Sequence, residues 1–200
     1  MDYRLIEFSR LTNDDIECLA VLHQSIIPTL LSDLGLPMVQ RYYQTAKTDP
    51  KVIGSCALSS PGHMCGWAMG SPHPDKINAQ LRSPLTWFIP HMFRVMITRP
   101  AVFWQLTSSV LSTNQAELKS EAVELTYIGV APDQRGKGLG KILLNTFIEA
   151  SHLKGYQSVV LSVERENSPA IQLYERTGFK ITNTFSEGRY QRHRMEMTLT

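Results

Sequence analysis

An α/β (α+β) fold built on one mixed sheet is predicted for this chain of 200 residues, read as a single domain over 1–200. Three observations predict it. Strand-like and helix-like segments follow one another in the order βααββ, then βαβαββ. A strand, a helix and a second strand succeed each other over 123–163, which implies a right-handed parallel crossover. Earlier, two strand-like runs joined by Ser60-Pro61-Gly62 imply an antiparallel hairpin.

Residues 3–9, YRLIEFS, alternate and end in turn chemistry, the pattern of a strand. TNDDIECLAVLHQSI offers capping residues, then Ile16, Leu19, Ala20, Leu22 and His23 at helical spacing. A second helix is expected within 37–48. KVIGSCALS and GHMCGWAMG are the strands of the hairpin. EAVELTYIGV, 121–130, is another strand, stopped by Pro132. Leu139, Ile142, Leu143, Phe147 and Ala150 recur at helical spacing until Gly155. SVVLSVE is a near-continuous apolar run, as a buried sheet interior needs. Ser168-Pro169 reads as an N-cap followed by proline at the first helical position, and Gly178 closes that helix. FKITNTF and RHRMEMTL finish the chain as strands.

A segment at about 71–120 departs from this plan and reads as a helical insertion. It lacks Asp and Glu from 76 to 116 and holds Trp87, Phe88, Phe93, Phe103 and Trp104. Leu85, Phe88, Ile89, Met92, Phe93, Val95 and Met96, then Val102, Phe103, Leu106 and Val110, recur every three or four positions. Two amphipathic helices opened by Pro84 and Pro100 are expected. Arg82, Arg94 and Arg99 have no local carboxylate and face either an anionic acceptor group or solvent.

Composition bounds the function. Twenty Lys+Arg against 18 Asp+Glu leave a formal charge of +2, too balanced to point to nucleic acid. Cys18, Cys56 and Cys65 have no metal-ligand spacing and read as buried thiols of a reducing cytoplasm; no metal is expected. The N-terminus lacks a basic stretch followed by an apolar run, and no stretch of about 18 apolar residues suggests a membrane span.

VAPDQRGKGLGKILL, 130–144, carries the chemistry. A Walker A loop would need Gly at Arg135 and Ser or Thr at Ile142. A dinucleotide fingerprint would need Gly at Lys141 or Leu143. Both fail. What remains is R-x-x-G-x-G, Arg135, Gly138 and Gly140, between a strand and a helix. Glycines let successive N–H groups face an anion, and the helix start adds orphan donors and a positive dipole end. Arg135, Lys137 and Lys141 add charge. A pyrophosphate fits such a loop; so does a plain tight turn with no guest.

With SVERENSPAIQLYERTGF downstream, which sets Asn167 and Tyr174 seven residues apart, the chain resembles the GNAT superfamily of acyl-CoA-dependent N-acyltransferases. IGVAPDQRGKGLGKILL resembles its pyrophosphate motif and VERENSPAIQLYERTGF its second motif; residue-level likeness runs from about 121 to 200. The resemblance implies a mostly antiparallel twisted sheet, a central parallel strand pair splayed around CoA, and helices on both faces. It implies acetyl-CoA as co-substrate, Ile128, Gly129 and Val130 against the pantetheine arm, and Arg135, Gly136, Lys137, Gly138, Leu139, Gly140 and Lys141 around the pyrophosphate. Asn167 would hydrogen-bond the arm, or serve as an ordinary turn residue.

The implied reaction is direct transfer of an acetyl group to a primary amine within a ternary complex. An amine of pKa about 10.4 is almost wholly protonated at neutral pH, so a base helps. Glu124 corresponds to the family's glutamate position, and alternation sets it on one face with Thr126 and Ile128, with Glu121 opposite. The other reading of Glu124 is a solvated strand carboxylate. Tyr174 would protonate the departing sulfur, or pack as a core ring on Leu173 and Phe179. The acceptor, a small-molecule or peptide amine, and the oligomeric state are not encoded legibly. Two other functions stay open: a CoA-binding module without transfer, and a membrane-surface protein using 76–116.

Overall fold

The computed structural model describes residues 3–59, 63–99, 121–187 and 190–199. The strands are β1 (Tyr3–Glu7), β2 (Ile53–Ser59), β3 (His63–Ser71), β4 (Ala122–Val130), β5 (Ser158–Glu164), β6 (Lys180–Glu187) and β7 (Tyr190–Thr198). The helices are α1 (Asn13–Ile26), α2 (Leu30–Asp33), α3 (Leu36–Thr48), α4 (Pro74–Gln80), α5 (Leu85–Thr98), α6 (Leu139–Leu153) and α7 (Ser168–Thr177). They form one seven-stranded sheet in the order β1-β2-β3-β4-β5-β7-β6. Every neighbouring pair is antiparallel except β4 and β5. The mixed α/β architecture is the expected one.

Local chemistry explains the boundaries. Thr12 caps α1 in a reciprocal capping box: its hydroxyl accepts from Asp15 N–H while Asp15 accepts from the Thr12 backbone. Gly155 and Gly178, at φ +83° and +109°, take the left-handed turns that end α6 and α7. α7 is capped by Asn167 rather than Ser168. The Asn167 Oδ1 accepts from Ala170 N–H at 3.3 Å, which draws Ser168 into the first turn. β1 stops at Glu7, short of the expected Ser9, because Phe8 turns into the core.

Two apolar layers cover the sheet. On one face Leu19, Tyr42 and Tyr43 of α1 and α3 pack on Trp67 and Met69 of β3. On the other, Leu139, Leu143, Leu144 and Phe147 of α6 and Tyr174 of α7 pack on Val123, Leu125, Val159 and Leu161. Each such side chain contributes about 1.5–3 kcal/mol on burial. Cys56 and Cys65 are buried, whereas Cys18 lies exposed on the outer face of α1, contrary to the expectation for all three thiols.

The insertion begins with α4, whose Ile77 is fully buried against α3, and continues in α5 after Pro84. Arg41 of α3 stacks over the Trp87 ring at 4.5 Å, and Trp87 stacks on His91 at 5.0 Å. Arg99 is not without a partner: its Nη1 donates to the Asp33 carbonyl at 2.8 Å. The expected stripe of α5 splits. Phe88 and Val95 turn inward, while Leu85, Ile89, Phe93 and Met96 are exposed, because docking is set by Trp87 and His91. The second helix expected after Pro100, and the turn at Ser60-Pro61-Gly62, lie outside the described residues.

Candidate active site

The β4–β5 ladder runs only from Ala122↔Ser158 to Leu125↔Leu161. Beyond it β4 stays with β3 as far as Val130, and β5 stays with β7 as far as Glu164. The strands therefore part into a gap. Ala131 N–H bonds to Cys65 O at 2.8 Å, and alternation from that pair turns the Gly129 backbone toward β3 and those of Ile128 and Val130 toward the gap. Gly129 also answers a packing demand, since a Cβ there would lie 2.5 Å from the Trp67 ring. An amide-bearing arm laid in the gap would pair with peptide groups that the sheet leaves open.

The loop at the end of β4 lies beside this gap. A turn at Pro132–Gln134 leads to Arg135, whose Nε donates back to the Val130 carbonyl at 3.3 Å. Gly136 and Gly138 adopt φ of +73° and +82°, and a Cβ on either would meet nothing within 4 Å. Gly138 precedes α6 without a side-chain cap among the described residues, so the orphan N–H groups of the first turn have no capping side chain there. At Gly140 an added Cβ would make ordinary contacts with Val130 and Leu173 at 3.6 and 3.7 Å. The protein itself thus has room for a larger residue there, and the cradle fits a close-lying pyrophosphate. Leu139 is buried and anchors the helix start, while Lys137 and Lys141 are exposed around it.

Glu124 differs from expectation in two ways. The β3–β4 register shifts between Met69↔Tyr127 and Gly70↔Leu125, leaving Thr126 as a bulge. Glu124 and Thr126 keep one face, but the extra residue turns Ile128 to the opposite one, among the α6-facing residues, and brings Tyr127 beside Tyr42 and His23. Nor is Glu124 solvated: its carboxylate, 19% exposed, receives Arg194 Nη2 of β7 at 3.1 Å. Arg194 Nη1 donates to Ser162 Oγ of β5 at 3.1 Å. One guanidinium therefore ties β4, β5 and β7 together where the gap opens. The sequence reading did not single out Arg194; the sequence signal was the alternating Arg192, Arg194, Glu196 of the last strand, which sets charge on one sheet face.

On the other face, Tyr174 is 5% exposed, with its ring edge-on to Phe179 at 5.8 Å. Burial pushes its phenol well up, so it stays protonated. Asn167 is committed through Oδ1 to capping α7, which leaves its amide N–H groups to donate.

Beneath the bulge lies a buried aromatic cluster. His23 Nδ1 meets Tyr43 Oη at 2.6 Å, while His23 Nε2, Tyr42 Oη and Trp67 Nε1 close no hydrogen bond among the described residues. Burial pushes the His23 imidazole down to about 3. Thr126 is the polar neighbour of Tyr42 Oη.

An internal sheet edge left open by its neighbouring strand beside a glycine-lined helix start has the shape and polarity that a phosphate-bearing, amide-bearing ligand requires. The acetyltransferase (GNAT) family model matches residues 15–179, and the chain belongs to that family. It is 45% identical over 58 residues to mycothiol acetyltransferase of Corynebacterium aurimucosum, which covers 29% of this chain and 19% of that protein. It is 32% identical over 108 residues to mycothiol acetyltransferase of Thermobifida fusca, covering 51% and 32%. The chain thus spans a third or less of these relatives' length. The fold is similar to PaiA N-acetyltransferase from Thermoplasma acidophilum in complex with coenzyme A, with a TM-score of 0.62, 14% identity and all of both chains covered. Ard1 from Thermoplasma volcanium gives a TM-score of 0.63 at 14% identity over 100% of this chain and 99% of that one. These two likenesses show the fold.

Proposed function

We propose that the protein transfers an acetyl group from acetyl-CoA to a primary amine on a small molecule or peptide, by direct attack within a ternary complex. The observation that carries this reading is the β4 edge at Ile128 and Val130, beyond the end of the β4–β5 ladder, beside the start of α6, whose N-cap makes no side-chain hydrogen bond. The first supports the amides of the pantetheine arm and the second the pyrophosphate, with Arg135, Gly136, Lys137, Gly138, Leu139, Gly140 and Lys141 around it. The amide of Asn167 donates to the arm. Glu124 takes the proton of the attacking ammonium; the free amine adds to the thioester carbonyl, the C–S bond breaks, and Tyr174 gives its proton to the thiolate. No covalent acyl-enzyme is required, since holding both reactants in place supplies the advantage.

A second reading, binding of CoA without transfer, is favoured by one observation: Glu124 is engaged by Arg194. Calorimetry and amine-dependent thiol release decide between them. Gly138→Val sets bulk before the helix start at a φ of +82°. It is expected to weaken acetyl-CoA at least about tenfold, or about 1.4 kcal/mol, with the fold retained. Unchanged affinity removes the loop from the site. Tight binding with no thiol release across an amine panel leaves the binding-module reading.

A further inference from the structure

Arg194, the half of the Glu124–Arg194 pair to which the transfer reaction as described gives no role, points to the class of acceptor. We infer that the site selects amines carrying a carboxylate next to the amino group, free α-amino acids, with Arg194 as the specificity-determining residue; this rests on the acetyl-transfer reading above. The pair lies on the sheet face opposite α6 and α7, the side from which an acceptor reaches a thioester brought through the gap from the α6 end. Its two charges are 3.1 Å apart, each about one-fifth exposed.

An ammonium alone is poorly served there. To reach Glu124 it must displace Arg194, leaving a half-buried guanidinium without its counter-ion, or approach a carboxylate already neutralised. A zwitterion exchanges partners without loss. Its ammonium takes Glu124, and its carboxylate takes the guanidinium that Glu124 releases. Ser162 Oγ keeps Nη1 in place during the exchange. Two of the five guanidinium N–H donors bind side chains among the described residues, so donors remain for a second carboxylate.

The surrounding floor agrees. The strand register sets Glu196 opposite Val160, Arg194 opposite Ser162 and Arg192 opposite Glu164 on this same face. Three acids (Glu124, Glu164, Glu196) and two bases (Arg192, Arg194) are mixed on it, as suits a small zwitterion; a polycation would be matched by acids alone and a polyanion by bases alone.

The test is acetyl-CoA-dependent acetylation of the twenty standard amino acids, of their decarboxylated amines and of short peptides with free N-termini, by the intact protein. One or more amino acids are expected to exceed their decarboxylated amines by at least about tenfold in kcat/KM. Arg194→Gln should erase that ratio chiefly through KM, with acetyl-CoA affinity unchanged, and Arg194→Lys should restore part of it. Melting curves show whether each variant is folded; Arg194→Lys retains the charge should Arg194→Gln not fold. Amines or peptides turned over as well as the amino acids overturn the inference. So does a ratio that survives in folded Arg194→Gln or stays undiminished in folded Arg194→Lys, and so does acetylation of none of the amino acids by a protein that binds acetyl-CoA. Absence of acetyl-CoA binding overturns the underlying reading instead.

Discussion

At the scale of single residues, Tyr174 separates packing from chemistry. Its ring is one wall of the α6–α7 layer and meets Phe179 edge-on, while burial keeps the phenol protonated. Tyr174→Phe preserves the ring and removes the hydroxyl. Rapid-mixing or steady-state assays should show kcat reduced roughly 10²-fold or more with acetyl-CoA affinity nearly unchanged; full turnover would assign Tyr174 to packing alone. Tyr174 and Asn167 stand out in the sequence as candidates because both lie on one short strand-to-helix segment with fixed spacing. Arg194 was not, because its partner Glu124 is 70 positions away. No local pattern records a contact that strand order alone creates. The capping role of Asn167 was displaced by one residue, since Ser and Asn are both good caps and only the turn geometry separates them.

At the scale of elements, the insertion is the part most open to experiment. Ser71 and Glu124 are register partners, so the ends of β3 and β4 already lie side by side and a short turn can join them. Replacing the intervening chain should leave acetyl-CoA affinity within about threefold and abolish turnover of the true acceptor, a split expected of an element that shapes one substrate site only. Ile77 and Leu81 complete the core over α3, so a second version that keeps α4 and removes the chain after Ser83 guards against loss of stability. Normal acceptor turnover in either folded version would exclude a specificity role and favour a partner or lipid surface for the exposed Leu85, Ile89 and Phe93. α1 and α6 were readable from helical spacing together with capping residues or a closing glycine. α2, four residues long, has too few positions to show such spacing. Alternation alone does not locate the bulge at Thr126 for a related reason: it counts residues, whereas the bulge adds one without changing the pattern of types.

At the scale of the whole molecule, both apolar layers share β3 and β4, and His23 sits fully buried where α1 and α3 meet those strands. With burial holding its imidazole down to about 3 against an ordinary 6.5, the folded state keeps His23 neutral. The unfolded chain binds that proton from about pH 6.5 downward. The stability linked to His23 is thus complete above that pH and is lost as the pH falls toward 3. Between pH 6 and 4 the loss is about 1.4 kcal/mol per pH unit. Urea unfolding across that range should show this component in the native protein and not in His23→Gln; equal slopes would show that His23 charges within the fold.

The parting of β4 and β5 also bears on self-association. Unpaired peptide groups at the rim of a sheet invite another chain to add itself, the route to aggregates. Here the row lies at the centre, with β3 on one side, β7 beyond β5 on the other, and helices over both faces. A polypeptide strand entering there would have to place its side chains alternately against both covering layers. A slender arm without such branches passes. Colliding copies meet β1 and β6 instead, where Arg4 and Lys180 discourage pairing. The molecule thus keeps this row of backbone hydrogen-bonding groups away from both rims of its sheet.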